Sequence, residues 1–328
     1  MGKPVILPSV AVNGRTVIVS NKWLRMASIK SEDWLEGEIV NDPELFVTSI
    51  KGAALGADIF TFAQKLPDTK PKYRYPMEWD NVAVIPITTY SDWWEKRLPQ
   101  VSRKNMRRAA KRGVVARVIE FNDDLVRGIV EIHNDTPIRQ GERFSHYGKD
   151  FAVVKQDYSS FVDRSVFIGV YFENELIGFT KIVFMGKIAS ILNILTKTAH
   201  YDKRPTNLLI AKAVEICVAR GASHLIYGKY TYGNKTDSPL TEFKRRNGFE
   251  KIILPRYYIP LGLKGRMAVG LKLHRGLIGI LPGGLIALLV NLRGKLYRNV
   301  IHPLRGAGKR ADGGAEGKSQ GDQGENDL

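Results

Sequence analysis

Between Ser165 and Gly221 the apolar positions fall into three β-type runs and one continuous helical run. SVFIGVYF, LIGFTKIVFM and IASILNILT are rich in Val, Ile and Phe, and the polar turns Glu173-Asn174-Glu175 and Gly186-Lys187 join them. Runs of this kind separated by short turns predict adjacent antiparallel strands. A polar turn from His200 to Pro205 leads into TNLLIAKAVEICVARG, which opens on Pro-Thr and stops at Gly221. Its Leu, Ile, Val and Ala residues cover most of the circumference, which predicts a helix buried on all sides.

The same patterning organises the rest of the chain. Residues 4–20 read as a hairpin around Asn13-Gly14, a pair suited to a type I′ turn. DPELFVTSIKGAALG reads as a helix opening at Asp42-Pro43, and DIFTFAQ and NVAVIPI as strands either side of a Pro-punctuated loop. SRKNMRRAAKRG is a helix, VVARVIEF a strand, and DDLVRGIVEIHND a helix capped near Asn122 or Asp123. After the buried helix come a strand (HLIYGKY), a short helix capped by Ser238 (SPLTEFKRRNGF) and a last strand (KIILPRYYIPL). This divides the chain into an N-terminal α/β domain (1–100), a second domain (101–260), a basic, apolar helical extension (261–305) and a Gly-rich polar tail expected to be disordered (306–328).

Hydrophobic content of 44% and charged content of 25% fit a folded chain. The single cysteine, Cys217, falls in the buried helix and reads as a small core residue, which leaves no intramolecular disulfide. No metal-ligand spacing occurs, and no metal is expected. MGKPVILPSVAVNG lacks the apolar core and cleavage site of a signal peptide, so a cytoplasmic location is expected. All five tryptophans lie in the first hundred residues, where core or inter-domain packing is the expectation.

The net charge of +17 is local. Lys251 to Ala311 holds twelve Lys and Arg and no acid, and Ser102 to Val118 holds seven more. In the second cluster, Arg103, Arg107 and Lys111 form one i,i+4 line and Lys104, Arg108 and Arg112 the next, so the helix presents a broad cationic face. It reads either as a solvated face or as a grip on the phosphates of a nucleotide, lipid or nucleic acid. In TPIRQGERFSHYGKDF, the residues Arg139, Gln140, Arg143, His146 and Tyr147 crowd a loop with little apolar content, which suits a polar or anionic substrate. Residues 276–292 form a 17-residue stretch without charge. As one helix it would reach about 25 Å against roughly 30 Å of hydrocarbon, and Pro282-Gly283-Gly284 interrupts it. A helical hairpin lying on an anionic membrane surface, flanked by Lys264, Arg266, Lys272, Arg275, Arg293, Lys295 and Arg298, fits better than a span; packing on the core or a dimer contact is the alternative.

The stretches RKNMRRAAKRGV, RPTNLLIAKAVEICVARGASHLIYG and LTEFKRRNGF, in this order of elements, resemble the GCN5-related N-acyltransferase (GNAT) superfamily, and more closely its branch of FemAB-type acyl and aminoacyl transferases. LTEFKRRNGF is similar to that branch's Phe-Lys pair followed by Gly-Phe. The resemblance covers about 100–260, with 1–100 as a reduced or divergent first half. It implies an α/β (α+β) fold with a mixed, mostly antiparallel central sheet flanked by helices. It also implies an acyl donor, usually a coenzyme A thioester such as acetyl-CoA, joined to an amine or hydroxyl. The donor's pyrophosphate would meet Lys203, Arg204, Thr206 and Asn207, where free N–H groups at a helix start attract anions.

The chain departs from the superfamily's Gln/Arg-x-x-Gly-x-Gly/Ala pattern there. It reads Asp-Lys-Arg-Pro-Thr-Asn, with no glycine and with Pro205 lacking an N–H. FemAB-type enzymes also lack these glycines, and their donor is aminoacyl-tRNA. The Phe-Lys lysine corresponds to Lys244, a cation for the oxyanion of acyl transfer. Tyr230 and Tyr232 stand where a tyrosine would protonate the leaving group, while Tyr227 is expected to pack. The leading expectation is an N-acyltransferase moving an acyl group, acetyl foremost, from acyl-CoA to a polar or lipid-linked acceptor, peripherally at the inner membrane face. The alternatives are an aminoacyl-tRNA-dependent enzyme acting on a cell-wall precursor and a non-catalytic membrane-associated binding module.

Overall fold

The computed structural model describes residues 6–139, 142–232 and 238–276. It opens with β1 (Ser9–Val12) and β2 (Arg15–Ser20), joined at Asn13 and Gly14, both at positive φ (47° and 69°), as the Asn-Gly turn requires. There follow β3 (Met26–Ile29), α1 (Pro43–Gly52), β4 (Ile59–Ala63) and β5 (Met77–Pro86). The Asp42 carboxylate caps α1 by accepting from the Leu45 N–H (3.2 Å). Then come α2 (Tyr90–Asp92) with a π-helical turn (Trp93–Arg97), α3 (Gln100–Lys111), β6 (Val115–Ile119) and α4 (Asp123–Asn134), capped by Asn122. The polar loop carries a small hairpin, β7 (Ile138–Arg139) and β8 (Glu142–Arg143), before α5 (Phe151–Tyr158). The expected meander is β9 (Ser165–Phe172), β10 (Glu175–Met185) and β11 (Ile188–Thr196), and the buried helix is α6 (Pro205–Ala219). β12 (His224–Ile226), α7 (Pro239–Arg246), β13 (Glu250–Pro260) and α8 (Leu263–Gly270) complete the described chain.

Eleven strands make one sheet in the order β1-β2-β3-β4-β13-β5-β12-β11-β10-β9-β6. Its pairs are antiparallel except β3 with β4 and β11 with β12, so the expected mixed, mostly antiparallel sheet flanked by helices is what forms. The last strand, β13, lies between β4 and β5, and β5 pairs with β12. Strands from before residue 100 and after it thus alternate in the sheet's centre.

Period-two alternation divides the core. From β9, Val166, Ile168 and Val170 face the cluster containing Leu209, Ile210, Ala213, Val214 and Cys217 of α6. Phe167 goes to the other side, against Leu125, Ile129 and Ile132 of α4 and Tyr158 of α5. A third cluster joins Phe46 and Ile50 of α1 to Val17, Ala27, Phe60, Phe62 and Tyr257.

Trp93 and Trp94 pack with the main core as expected, and two of the five tryptophans depart from expectation. Trp93 is buried, but Trp23 and Trp79 are 67% and 50% exposed. Trp23 stands on the loop before β3, where only its neighbour Leu24 reaches a core cluster. Of the extension expected at 261–305, only α8 and the 3-10 turn Leu273–Arg275 lie within the described residues; most of 276–292 and all of the 306–328 tail lie outside them. Among the described residues no helix is long and apolar enough to cross a membrane.

Leu209, fully buried between α6 and the sheet, is a direct probe of this packing. Leu209→Ala is expected to cost about 2–5 kcal/mol, read as a lower midpoint in urea denaturation at unchanged slope.

Candidate active site

β11 and β12 stay in register only from Ile188 to Ser190 against His224 to Ile226. Past Ile226 the chain keeps its pairing with β5, on the other edge: the Tyr227 N–H donates to the Ala83 carbonyl, and the Ala83 N–H to the Gly228 carbonyl, both at 2.9 Å. β11 runs on to Thr196 without that partner. Beside this divergence lies a cavity of about 340 Å³. Much of its wall is apolar, from Trp34, Leu66, Val82, Ile191, Leu192 and Leu254, and its polar side chains include Asp80, Asn81, Lys229, Tyr232 and Arg256.

These charges form a chain of pairs. Arg256 Nη2 lies 3.1 Å from Glu32 Oε2 and its Nε 3.5 Å from Asp80 Oδ2, and Lys229 Nζ lies 2.9 Å from Asp80 Oδ1. Burial pushes the Asp80 pKa up, but bonds from Lys229 and the Asn81 N–H outweigh it and hold the carboxyl below its ordinary value. Asp80 therefore stays ionised at neutral pH. Asn81 fixes the segment opposite: its Oδ1 accepts from the Thr231 N–H (2.8 Å) and its Nδ2 donates to the Thr231 carbonyl (3.3 Å).

Lys244, on α7, is fully buried behind this segment. Its ammonium donates to the Lys229 carbonyl and sits 4.9 Å from the ring centroids of both Tyr227 and Tyr232. Burial lowers its pKa to about 8. Tyr232 lines the cavity, and a Cβ on Gly228 (φ 55°) would lie 2.6 Å from the Tyr232 hydroxyl, so the turn and the close approach both call for glycine. Tyr230 packs against the main core, and its carbonyl accepts from the Thr241 hydroxyl (3.4 Å). The structure thus brings Lys244 and Tyr232 together, with Tyr230 turned toward packing.

The four residues read as a donor site lie at the start of α6. Arg204 is its N-cap in left-handed conformation (φ 55°), Pro205 has no N–H, and the Asn207 N–H is taken by the Arg204 carbonyl (3.2 Å). The Thr206 hydroxyl faces that of Thr196 (3.4 Å), and the Asn207 side chain donates to Asn247 Oδ1 (3.0 Å). Lys203 lies 4.7 Å from the Phe172 ring and 3.5 Å from Asp202. With Thr206 and Asn207 turned inward and one early N–H spent, the turn does not form the glycine-lined cradle of a coenzyme A pyrophosphate. Arg112, the C-cap residue of α3, reaches it by donating to the Asp202 carbonyl (3.3 Å), so the cationic helix abuts this turn. Arg103, by contrast, is spent on the carbonyls of Trp94, Glu95 and Leu98, each at 2.9 Å.

The polar loop forms a separate cluster. Arg139 donates to the Ile132 carbonyl (3.1 Å) and lies 4.1 Å from the Phe144 ring, and the His146 ring lies tilted 4.8 Å from that of His133 and bonds Lys149 (3.2 Å). Burial lowers the pKa of both histidines, that of His133 to about 4, so His133 is neutral at neutral pH. Arg143 and Tyr147 are exposed, and Gln140 lies outside the described residues. None of the described loop residues lines the cavity. Among the described residues no group of acids, His or Cys could hold a metal.

Asp80, Asn81, Lys229 and Arg256 escaped sequence reasoning. Lys229 and Tyr232 flank Tyr230 in one loop, and that adjacency was the available sign; Asp80 and Arg256 reach them only through the pairing of β5 with β12 and β13.

No protein-family model matches the chain, and no curated protein matches it in sequence. Solved structures do share its fold. The C-terminal DUF2156 domain of a protein described as a lysylphosphatidylglycerol synthetase from Agrobacterium fabrum is 14% identical, with 84% of this chain and 90% of that one covered and a TM-score of 0.53. FemX is 11% identical, with 79% and 88% covered and a TM-score of 0.54. L-PGS from Bacillus licheniformis is 13% identical, with 81% and 88% covered and a TM-score of 0.54. The chain shares its fold with FemX, with L-PGS and with that DUF2156 domain.

Lys244 has a pH signature. Its pKa falls from 10.5 unfolded to about 8 folded, so between these values the unfolded state binds the extra proton and stability rises with pH. Its contribution should grow by roughly 2 kcal/mol from pH 8 to 10. Lys181, lowered to about 8, acts in the same direction, and Cys217, raised to about 12, opposes both above pH 9. The check is therefore a comparison: the stability of wild type relative to Lys244→Met, from urea denaturation, should climb by that amount across the window.

Proposed function

We propose that the protein is a transferase that moves an acyl-type group from an ester donor to an amine or hydroxyl of an acceptor seated in the cavity beside β11 and β12. One observation carries the reading. The strand divergence opens onto a mostly apolar cavity whose polar side chains include Lys229, Asp80, Arg256 and Tyr232, with Lys244 directly behind. An apolar wall with such an end suits an amphipathic, lipid-linked acceptor. The fold shared with FemX, with L-PGS and with the DUF2156 domain of the protein described as a lysylphosphatidylglycerol synthetase supports it.

The sequence placed acyl-CoA first among donors. The turn at Arg204–Asn207 favours the aminoacyl ester of a tRNA instead, because it lacks a pyrophosphate cradle while Lys104, Arg108 and Lys111 stand exposed on the adjoining α3. In the reaction the acceptor N or O attacks the ester carbonyl carbon, the bond to the tRNA 3′ (or 2′) oxygen breaks, and the acceptor proton ends on that oxygen. Lys229 and the Tyr232 hydroxyl stabilise the oxyanion, and Tyr232 relays the proton to the leaving oxygen. Asp80, held ionised, orients Lys229 and takes an acceptor ammonium before it is deprotonated. Lys244 fixes the Lys229 backbone. The residues of the polar loop, including Arg139, Arg143, His146 and Tyr147, are left to the acceptor's distal polar part.

The test offers labelled aminoacyl-tRNA and labelled acetyl-CoA separately, with a membrane-lipid extract as acceptor. Transfer from aminoacyl-tRNA is expected, falling steeply with added salt, and Tyr232→Phe should lower kcat by about 10²-fold. Transfer from acetyl-CoA alone would reverse the donor assignment. No transfer from either would leave a binding module, and an unchanged kcat in both Tyr232→Phe and Lys229→Met would overturn the assignment of these residues.

A further inference from the structure

α8 carries its apolar residues on the wrong side for a core helix. Gly265 and Ala268 are buried, and a Cβ on Gly265 would lie 2.0 Å from the Asp58 carbonyl oxygen, so the helix is seated backbone to backbone with this face inward. At about 100° per residue, Leu263, Met267 and the C-cap Leu271 share the opposite side. They are 73%, 59% and 63% exposed. Lys264 and Arg266 flank this stripe on its two sides, and Lys272 follows it. Trp23, 67% exposed, joins it: the Lys264 ammonium donates to the Trp23 carbonyl and lies 6.0 Å from its ring. Lys22 beside it is exposed as well. The nearest paired acid, Asp58, is bound by Lys264 (2.9 Å) and by the Arg25 N–H (2.7 Å), so its charge is already met.

We infer that Trp23, Leu263, Met267 and Leu271 form a docking surface for an anionic lipid bilayer. Three large aliphatic side chains and an indole in one exposed patch are what a monotopic contact inserts among acyl chains and headgroups, the indole lying at headgroup level. Lys22, Arg266 and Lys272 give the rim the sign that anionic headgroups attract. The acid-free run from Lys251 to Ala311 continues that sign along the chain beyond α8. A protein partner would need matching acids, and a nucleic acid would leave the aliphatic stripe unmet, so the bilayer is the occupant the chemistry selects. The surface stands on different residues from the transferase site and survives its failure.

The experiment is co-sedimentation of the full chain with vesicles of phosphatidylcholine alone and of phosphatidylcholine mixed with phosphatidylglycerol. Wild type is expected to bind the mixed vesicles, weakly the neutral ones, and less as salt rises. Leu263→Ser/Met267→Ser should weaken that binding at least about tenfold with melting temperature unchanged, and Arg266→Glu/Lys272→Glu should remove the preference for anionic lipid. Because the variants keep residues 277–328, wild-type binding by Leu263→Ser/Met267→Ser would assign the membrane contact to that segment and overturn the proposal. Absence of binding by wild type overturns it too. So does a lowered melting temperature of that variant without vesicles, which would mean that protein covers the stripe.

Discussion

The structure turns on how briefly β11 and β12 run together. Two parallel strands normally extend their ladder as far as hydrogen bonds can be made, because each unpaired buried N–H or C=O is costly. Here the ladder with β11 ends after Ser190 and Ile226, while β5, paired to the other edge of β12, follows the chain on to Tyr227 and Gly228. Gly228, at φ 55°, is the pivot, and the Tyr232 hydroxyl lies close to it. Were the ladder longer, the space beside Ile191 and Leu192 would be filled by a neighbouring strand. The cavity, with Lys229 and Tyr232 in its wall, lies beside that early end.

Charge is then arranged so that the cavity can hold it. A lone ion among Val82, Ile191 and Leu254 would be expelled or neutralised. Glu32, Arg256, Asp80 and Lys229 instead alternate in sign, and only Lys229, about half exposed, keeps its solvent. Such a chain costs more desolvation than an apolar equivalent of the same volume and contributes little net stability. Its value lies in fixed charges beside a binding space. Lys244 is the sharper case. A methionine would fill its place between Tyr227 and Tyr232 without the burial penalty that lowers its pKa. What the ammonium adds is a hydrogen bond to the Lys229 carbonyl and a positive field against the Tyr232 ring.

The elements were readable because each has a local cause. Asn13-Gly14, Asp42-Pro43, Asn122, Ser238 and the three apolar runs of the meander specify turn, cap or strand within a few residues, and each forms as read. The site was readable only where chain neighbours supply it. Lys244 and Tyr232 are twelve residues apart on adjoining elements, and they meet. Asp80 and Arg256 come from strands paired at a separation of more than 170 residues, and no local pattern encodes that register. The loop at 139–149 lies apart from the cavity, and some of its donors also serve its own structure: Arg139 caps the end of α4, and the His146 ring lies 4.8 Å from that of His133.

The turn before α6 is what the proposed choice of donor rests on. A helix start still attracts anions through its early N–H groups, yet Arg204 occupies the left-handed position where glycine would let a phosphate approach, and Pro205 removes a donor. A side chain at that position carries positive charge outward, and Arg112 adds to it from α3. The turn has traded close backbone contact for longer-range cationic attraction. That exchange suits a ligand whose charge is spread along a polymer better than one whose charge is concentrated in a single pyrophosphate. In the proposed reaction, an ester held on the surface of a large polyanion need not be anchored by the turn itself and need only reach the divergence of β11 and β12, where the cavity begins.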